Sequence, residues 1–262
     1  MAPIIWVYMS ALFVIGLIKE DNSIVDVAWG LGFILIALTS LIFLAQTSSI
    51  ALLRPRQLIL TLMVVVWGLR LAGRIYERNL GKGEDFRYKA WRESWGRFFS
   101  LRAYFQIYML QGFLLLLISA PVLLVNSYSI SFSVYRPLDS LDYLGVLIWI
   151  VGFYFEVIGD AQLDKYLAQP QRPAILKTGL WRYTRHPNYF GEVLMWWGIF
   201  LIAFASHPEA WITIISPLMI TILILFVSGV PMLERAMKKR PGYKEYMEET
   251  SVFLPWFPRK RR

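Results

Sequence analysis

The chain of 262 residues has no cysteine and only two histidines. The first absence excludes disulfides, thiol nucleophiles, iron–sulfur clusters and thiolate metal sites. The second leaves little from which to build a histidine metal site, because His186 stands just before one apolar run and His207 in the short segment between two. Charge is sparse as well, at 17% of residues against 57% hydrophobic. Acidic groups are the scarcer sign, 18 against 27 basic ones, which gives a net charge of +9. A Rossmann fingerprint is also missing: Gly81-Lys82-Gly83 follows an apolar span instead of a strand, and Gly30-Leu31-Gly32 lies inside an apolar helix, where it lets helices approach closely. With no long linker, low-complexity tract or fixed-period repeat, a single membrane domain over residues 1–262 is the economical reading.

What is present is a series of apolar blocks long enough to cross a bilayer. Seven are expected, at about 2–18, 24–44, 58–73, 103–125, 141–161, 188–205 and 210–232, with residues 74–102 as the largest soluble excursion and 233–262 as a cytosolic cap. The fold class is therefore an all-α bundle of transmembrane helices with a polar cavity open to the cytosol. Residues 1–18 lack a basic start and an Ala-x-Ala cleavage site, so they read as a retained span instead of a signal peptide. The placement of cations sets the orientation. With the N-terminus outside, the inner segments hold Lys19, eight cations from Arg74 to Arg102, five from Lys165 to Arg185 and nine from Arg235 to Arg262, twenty-three in all; the outer loops hold only Arg54, Arg56 and Arg136. The basic balance is thus a topology signal and not a nucleic-acid footprint, and Arg259-Lys260-Arg261-Arg262 is expected to meet anionic lipid headgroups. A bacterial inner membrane with a cytosolic C-terminus is the expected location.

Ionisable residues within spans are costly and usually functional. Here Asp26, Arg70, Arg74, Glu156, Asp160, Glu192 and Glu234 all fall near the inner ends of their spans. Glu156, Asp160 and Asp164 are spaced i, i+4, i+8 and share one helical face. Asp26 suits either an ion pair with Arg70 or Arg74 or, if burial keeps it neutral, a proton donor, with Tyr76 as the second candidate. The densest chemistry is Gly179-Leu180-Trp181-Arg182-Tyr183-Thr184-Arg185-His186-Pro187-Asn188-Tyr189-Phe190-Gly191-Glu192. Pro187 suits a first helical position and biases His186 away from the α region, so a loop should end there and a helix begin. Helix N-termini attract anions, and Arg182, Arg185 and His186 cluster at this one. Arg172, Lys177, Arg182 and Arg185 can meet phosphates. Asp160, Asn188 and Glu192 can bind ribose hydroxyls or a carboxamide, and Tyr183, Tyr189 and Trp181 offer ring faces.

The same stretch closely resembles the C-terminal signature of the steroid 5-alpha-reductase superfamily, in particular its bacterial branch long catalogued as a domain of unknown function. Ser23-Ile24-Val25-Asp26-Val27-Ala28-Trp29-Gly30, Trp67-Gly68-Leu69-Arg70, Gly81 to Tyr88 and Pro241-Gly242-Tyr243-Lys244-Glu245-Tyr246 look like that branch too. The Arg-His-Pro-x-Tyr-x-Gly core is also similar to isoprenylcysteine and phospholipid methyltransferases of the membrane. The resemblance implies that Tyr183, Asn188, Glu192 and Asp160 hold a nicotinamide cofactor. It implies further that a carboxylate opening the second span, here Asp26, pairs with a tyrosine ending the third to donate a proton. The chain departs from the animal enzymes in having no tyrosine on that span before Tyr76, and in carrying Ser228-Gly229-Val230-Pro231 and Glu234-Arg235 where they have arginine and histidine. Glu234 with Tyr243 and Tyr246 looks closer to the sterol reductases and methyltransferases.

The expected activity is reduction of a polarised carbon–carbon double bond, enone-type, in a lipid-soluble steroid, isoprenoid or acyl lipid reaching the site from the bilayer, with NADPH as cofactor. The alternative is a methyltransferase using S-adenosylmethionine; a transporter or scaffold without chemistry is a third class. The C-terminal segment is expected to fold back over the loop, with Pro231 bending or ending the last span.

Overall fold

A computed structural model describes residues 1–47, 54–131 and 136–259. Among these residues the regular structure is helical, apart from one isolated parallel bridge between Thr184 and Ser251. Seven helices are long and apolar enough to cross a membrane: Ala2–Lys19, Ile24–Phe43, Pro55–Asn79, Phe86–Ile118, Ser140–Leu167, Pro187–Ser206 and Pro208–Met237. The all-α class and the number seven are as expected from sequence.

Several boundaries differ: the fifth span runs to Leu167 instead of 161 and the last to Met237 instead of 232, and three further differences have local causes. The third span runs on to Asn79 because Arg74 to Arg78 contains no helix breaker. The fourth starts at Phe86 instead of 103, where Asp85 caps it by accepting from the Arg87 backbone N–H at 3.0 Å. The expected soluble excursion at 74–102 is therefore mostly helix, and only 80–85 links the two. The fourth span also ends at Ile118 instead of 125: Ser119 interrupts it and Pro121, which has no N–H to donate, stands in the first turn of the next helix.

By its contacts the chain divides into two compact units, Met1–Leu138 with Ser206–Ile215, and Asp139–Ala205 with Ser216–Arg262. The first contains α1 (Ala2–Lys19), α2 (Ile24–Thr47), α3 (Pro55–Asn79), α4 (Phe86–Trp95), α5 (Phe99–Ala103), a π-helical stretch Tyr104–Met109, α6 (Leu110–Ile118) and α7 (Ala120–Ser131). Its closest helix pair is α2 with α3. A Cβ placed on Gly30 would stand 2.5 Å from the Gly68 carbonyl oxygen, and one on Gly68 2.7 Å from that of Gly30, so the two backbones touch there. That is the close approach expected of Gly30; Gly32 makes room for Leu115 instead. Beside the crossing, Phe33 meets Trp29 and Trp67 edge to face, at 5.3 Å from each.

The second unit holds α8 (Ser140–Leu167), α9 (Pro187–Ser206), most of α10 (Ile215–Ile222), α11 (Val230–Met237) and α12 (Tyr243–Glu249). Glycines recur every seven residues on one face of α8, at 145, 152 and 159, and on α9 at 191 and 198. They pair antiparallel. A Cβ on Gly145 would lie 2.7 Å from Gly198 O, and one on Gly152 2.6 Å from Gly191 O, while Gly159 abuts Pro187 and the Asn188 N–H. The last span breaks at Ser228–Gly229, after a π-helical stretch Leu223–Val227. Pro231 does not bend or end it as expected; it sits in the first turn of α11, where a missing N–H leaves no bond unmade.

Candidate functional site

The signature loop is built onto α8 from one side. Gln162 Oε1 accepts from the Leu180 N–H at 2.9 Å, and the Trp181 indole N–H donates to Gly159 O at 2.9 Å. Gly179 permits this docking: its φ is +62°, a conformation L side chains rarely adopt, and a Cβ there would collide with Gln162. The loop ends where expected, with Pro187 the first residue of α9.

From the other side the C-terminal segment folds back on the loop. Ser251 bridges Thr184, and its carbonyl accepts from the Arg185 N–H at 2.9 Å. Thr184 Oγ1 donates to Phe253 O at 2.8 Å, the Trp256 N–H to Tyr183 O at 2.9 Å, and the Tyr246 hydroxyl to Trp181 O at 2.5 Å. Ile175, Tyr243 and Tyr246 form a small core under it, with Met237 and Met247 against them. Burial raises the pKa of both tyrosine hydroxyls, and for Tyr243 the bond to Glu234 adds to the effect, so both stay protonated donors.

At the centre of this clamp lies Glu234. Arg185 donates to it from Nε at 2.9 Å and Nη2 at 3.3 Å, Tyr243 from its hydroxyl at 2.9 Å, and His186 Nε2 lies 2.9 Å from Oε1. Arg185 Nη1 donates to the Thr250 and Met247 carbonyls at 2.6 and 3.1 Å. Four of the expected cofactor ligands are thereby engaged within the protein. Arg185 is 7% exposed, with every nitrogen bonded, so it holds the C-terminal segment instead of reaching a phosphate. Glu234 and Tyr246 likewise hold the clamp, and His186 is half committed to it. The sequence placed them correctly near the loop; it could not show that they face one another.

The remaining candidates sit at the start of α9. Asn188 Nδ2 donates to Asp160 Oδ1 at 3.1 Å, joining two residues that the sequence separates by a whole loop. Asp160 is buried on α8, as is Glu156 one turn before it. The outer acid of that stripe, Asp164, is exposed. Asn188 Oδ1 is buried with no hydrogen-bond partner, and so is His186 Nδ1. Because Glu234 is an acceptor, His186 Nε2 is the donor in their contact, and in the neutral ring Nδ1 is then an acceptor. The His186 ring stacks on Tyr189 at 5.7 Å and 18°. Tyr189 and Glu192 are half-buried on the same first turns, while Arg182 and Lys177 are exposed cations, Lys177 pairing with Glu249 at 3.1 Å. Tyr183 is half-buried, its ring edge-on to Phe257. Asn188 Oδ1 and His186 Nδ1 are thus two buried acceptors without protein donors, beside the Asp160 carboxylate that accepts from Asn188 Nδ2. A buried acceptor left unpaired costs about 1–3 kcal/mol, which a ligand N–H or O–H removes. This donor-poor set fits a carboxamide and ribose hydroxyls.

Asp26 and Tyr76 belong to the first unit. Asp26 accepts from Arg87 Nη2 at 2.5 Å and from the Tyr88 hydroxyl at 2.5 Å. Both contacts are donated to it. The tyrosine paired with it is Tyr88 on α4; Tyr76 is exposed on α3. The signal for Tyr88 was the Gly81 to Tyr88 stretch, hidden because the region read as loop. Beside this pair, Glu84 accepts from Asn22 Nδ2 and Arg92 Nη2, both at 2.8 Å, and Tyr108 donates to Asn22 Oδ1 at 2.9 Å. Burial pushes the Glu84 carboxyl up, but the bonds from Arg92 and Asn22 outweigh it and hold it below the usual carboxylate range. Asp85 is lowered in the same way by Arg87.

The family model described as "Protein of unknown function (DUF1295)" matches residues 12–250, and the chain belongs to that family. It is similar to "Uncharacterized protein C594.04c" of Schizosaccharomyces pombe (strain 972 / ATCC 24843), at 24% identity over 267 residues, covering 90% of this chain and 73% of the yeast protein. No solved structure matches.

Proposed function

We propose that this member of the DUF1295 family is a membrane reductase that uses NADPH to reduce an enone-type carbon–carbon double bond in a lipid-soluble steroid, isoprenoid or acyl lipid, and that it is related to the steroid 5-alpha-reductases. The observation that carries the reading is the half-satisfied Asn188 amide: Nδ2 is bonded to Asp160 while Oδ1 is buried without a donor. NADPH, when bound, would supply the hydride. Asp160, Asn188 and Glu192 would hold carboxamide and ribose, Tyr189 and Tyr183 would flank the rings, and the exposed Arg182 and Lys177 would meet phosphates. Arg185, Glu234 and Tyr246 would act only by fixing the loop. Tyr88 with Asp26 would replace Tyr76 in the proposed proton-donating pair, the Tyr88 O–H turning from Asp26 to the substrate carbonyl when substrate binds. The cation distribution supports a cytosolic loop and C-terminus, in a bacterial inner membrane.

Isothermal titration of the purified protein with NADPH, NADH and S-adenosylmethionine tests the cofactor. Wild type should bind NADPH, and Asn188→Ala should weaken it at least tenfold. Binding of S-adenosylmethionine alone would move the assignment to methyl transfer, and a folded wild type that binds none would sink it. Tyr88→Phe and Asp26→Asn should keep NADPH affinity while turnover falls about 10²–10⁴-fold. Orientation is read by labelling single cysteines at Glu209 and Lys238 in intact cells; an impermeant reagent should reach only the first.

A further inference from the structure

We infer that residues Val252–Arg259 dock on an anionic bilayer surface, and that this docking tightens the clamp on the signature loop; the inference stands apart from the reductase reading. The segment bends at residues 252–254 and is held beside the loop by its backbone bonds. Phe253 turns inward and meets Phe190 of α9 at 5.7 Å. Its neighbours Val252 and Leu254 turn out, followed by Trp256 and Phe257. Leu254 is 65% exposed, Trp256 71% and Phe257 77%, although the backbone beneath them is bonded to Tyr183 and Thr184 and thereby fixed. Four large apolar side chains so presented on a fixed backbone need a cover.

Position and charge name that cover. The partners of the segment, Tyr183 to Arg185, immediately precede Pro187, the first residue of a membrane-crossing helix, so the exposed row lies at the level where a bilayer meets water. Tryptophan favours that level. The sequence then continues Arg259-Lys260-Arg261-Arg262, four cations in succession, which suit phosphate headgroups bearing net negative charge. A soluble partner would not require a row of exposed apolar and aromatic side chains beside a span, followed in the sequence by four cations. Each cation removed should lower the preference for an anionic surface about fivefold.

Docking acts on the loop through the bonds already described. The Trp256 N–H holds Tyr183 O, and Ser251 O holds the Arg185 N–H, so a segment restrained by lipid opens these bonds less often. The test uses the full-length, naturally cysteine-free chain with Val252→Cys or Leu254→Cys carrying an environment-sensitive fluorophore. One protein is placed per nanodisc, made of phosphatidylcholine alone or mixed with phosphatidylglycerol. We expect blue-shifted emission and quenching by interfacial spin-labelled lipid in the anionic discs, reversed by high salt and lost when residues 259–262 are all changed to Gln. Amide exchange at Arg185 and Trp256 should slow several-fold in the same discs. Equal emission and equal iodide access in both lipids would overturn the docking. Shifted emission with unchanged exchange would overturn its link to the clamp, and a shift that appears only with several proteins per disc would assign the row to self-association instead.

Discussion

The two units pose the same structural problem and answer it at different depths. Each has one pair of helices in backbone contact through glycine, α2 with α3 and α8 with α9, and each ties a charged connector to the end of that pair. In the first unit the contact is a single point, Gly30 against Gly68, and the ties are ion pairs partly open to solvent: Arg92 is 36% exposed opposite Glu84. In the second the contact repeats every seven residues, and its tie, Arg185 with Glu234, is about 90% buried on both sides. Partly exposed pairs contribute little and tolerate loss, whereas breaking a buried pair strands a charge. The difference teaches that the signature loop is fixed more firmly than the connector 80–85, and that much of its polar chemistry serves this fixing.

Substitutions that widen the helix contacts should show the largest effect. Gly191→Leu must displace the backbone of Gly152 and of Glu156, and Gly30→Leu that of Gly68, so both should lose several kcal/mol or fail to fold. Gly73→Ala, where a Cβ meets nothing within 4 Å, should be neutral or stabilising by up to about 1 kcal/mol. Thermal unfolding in detergent measures all three, and equal losses at 73 and 191 would erase the distinction between contact and surface glycines.

Next in size is the buried tie. Arg185→Ala should cost about 3–5 kcal/mol and expose the segment after Met237 to protease, because Glu234 is left in a buried site with fewer donors. Arg92→Ala, the corresponding cut in the first unit, should cost about 1 kcal/mol or less. Comparable proteolysis of the two variants would break the contrast.

The smallest effect is a pH dependence of the first unit's connector. The folded-state pKa of Glu84 and of Asp85 is lowered, so their contribution to stability is present above the ordinary carboxylate range near 4 and is lost as pH falls through the lowered values. Unfolding followed from neutral to acid pH should show this loss in wild type and a smaller one in Glu84→Gln. An unchanged acid slope would refute the assignment to Glu84.

Much of this was legible in the sequence and some of it was not, for local reasons. Blocks of apolar residues announced seven spans because bilayer thickness fixes their length. Pro187 announced the start of α9 through its fixed φ. The loop and its C-terminal cover were foreseeable from the aromatic residues at 243, 246, 253 and 256, which a loose tail has no need to carry. What remained hidden depended on which side chains meet. Arg185 reads as a phosphate ligand until Glu234 is placed beside it, and Tyr88 reads as a loop residue until Asp85 is seen to cap a helix. The seven-residue glycine spacing was visible throughout, but it acquires meaning only when α8 and α9 run antiparallel.

That spacing leaves an ambiguity of alignment. If α9 slid by one heptad along α8, Gly152 would face Gly198 and Gly159 would face Gly191, and the small residues would still match. Shape complementarity between the two helices therefore has at least two solutions, and the choice falls to contacts that do not repeat: Trp181 on the Gly159 carbonyl, Leu180 on Gln162, and Asn188 on Asp160. These polar bonds act as the keyway that indexes one helix against the other. Asn188 and Asp160 then have two tasks, and a variant such as Asn188→Ala can report on alignment as well as on binding. The distance between spin labels at the exposed positions Leu147 of α8 and Phe204 of α9 would show which of the two it has disturbed, since a heptad slide moves them by about 10 Å.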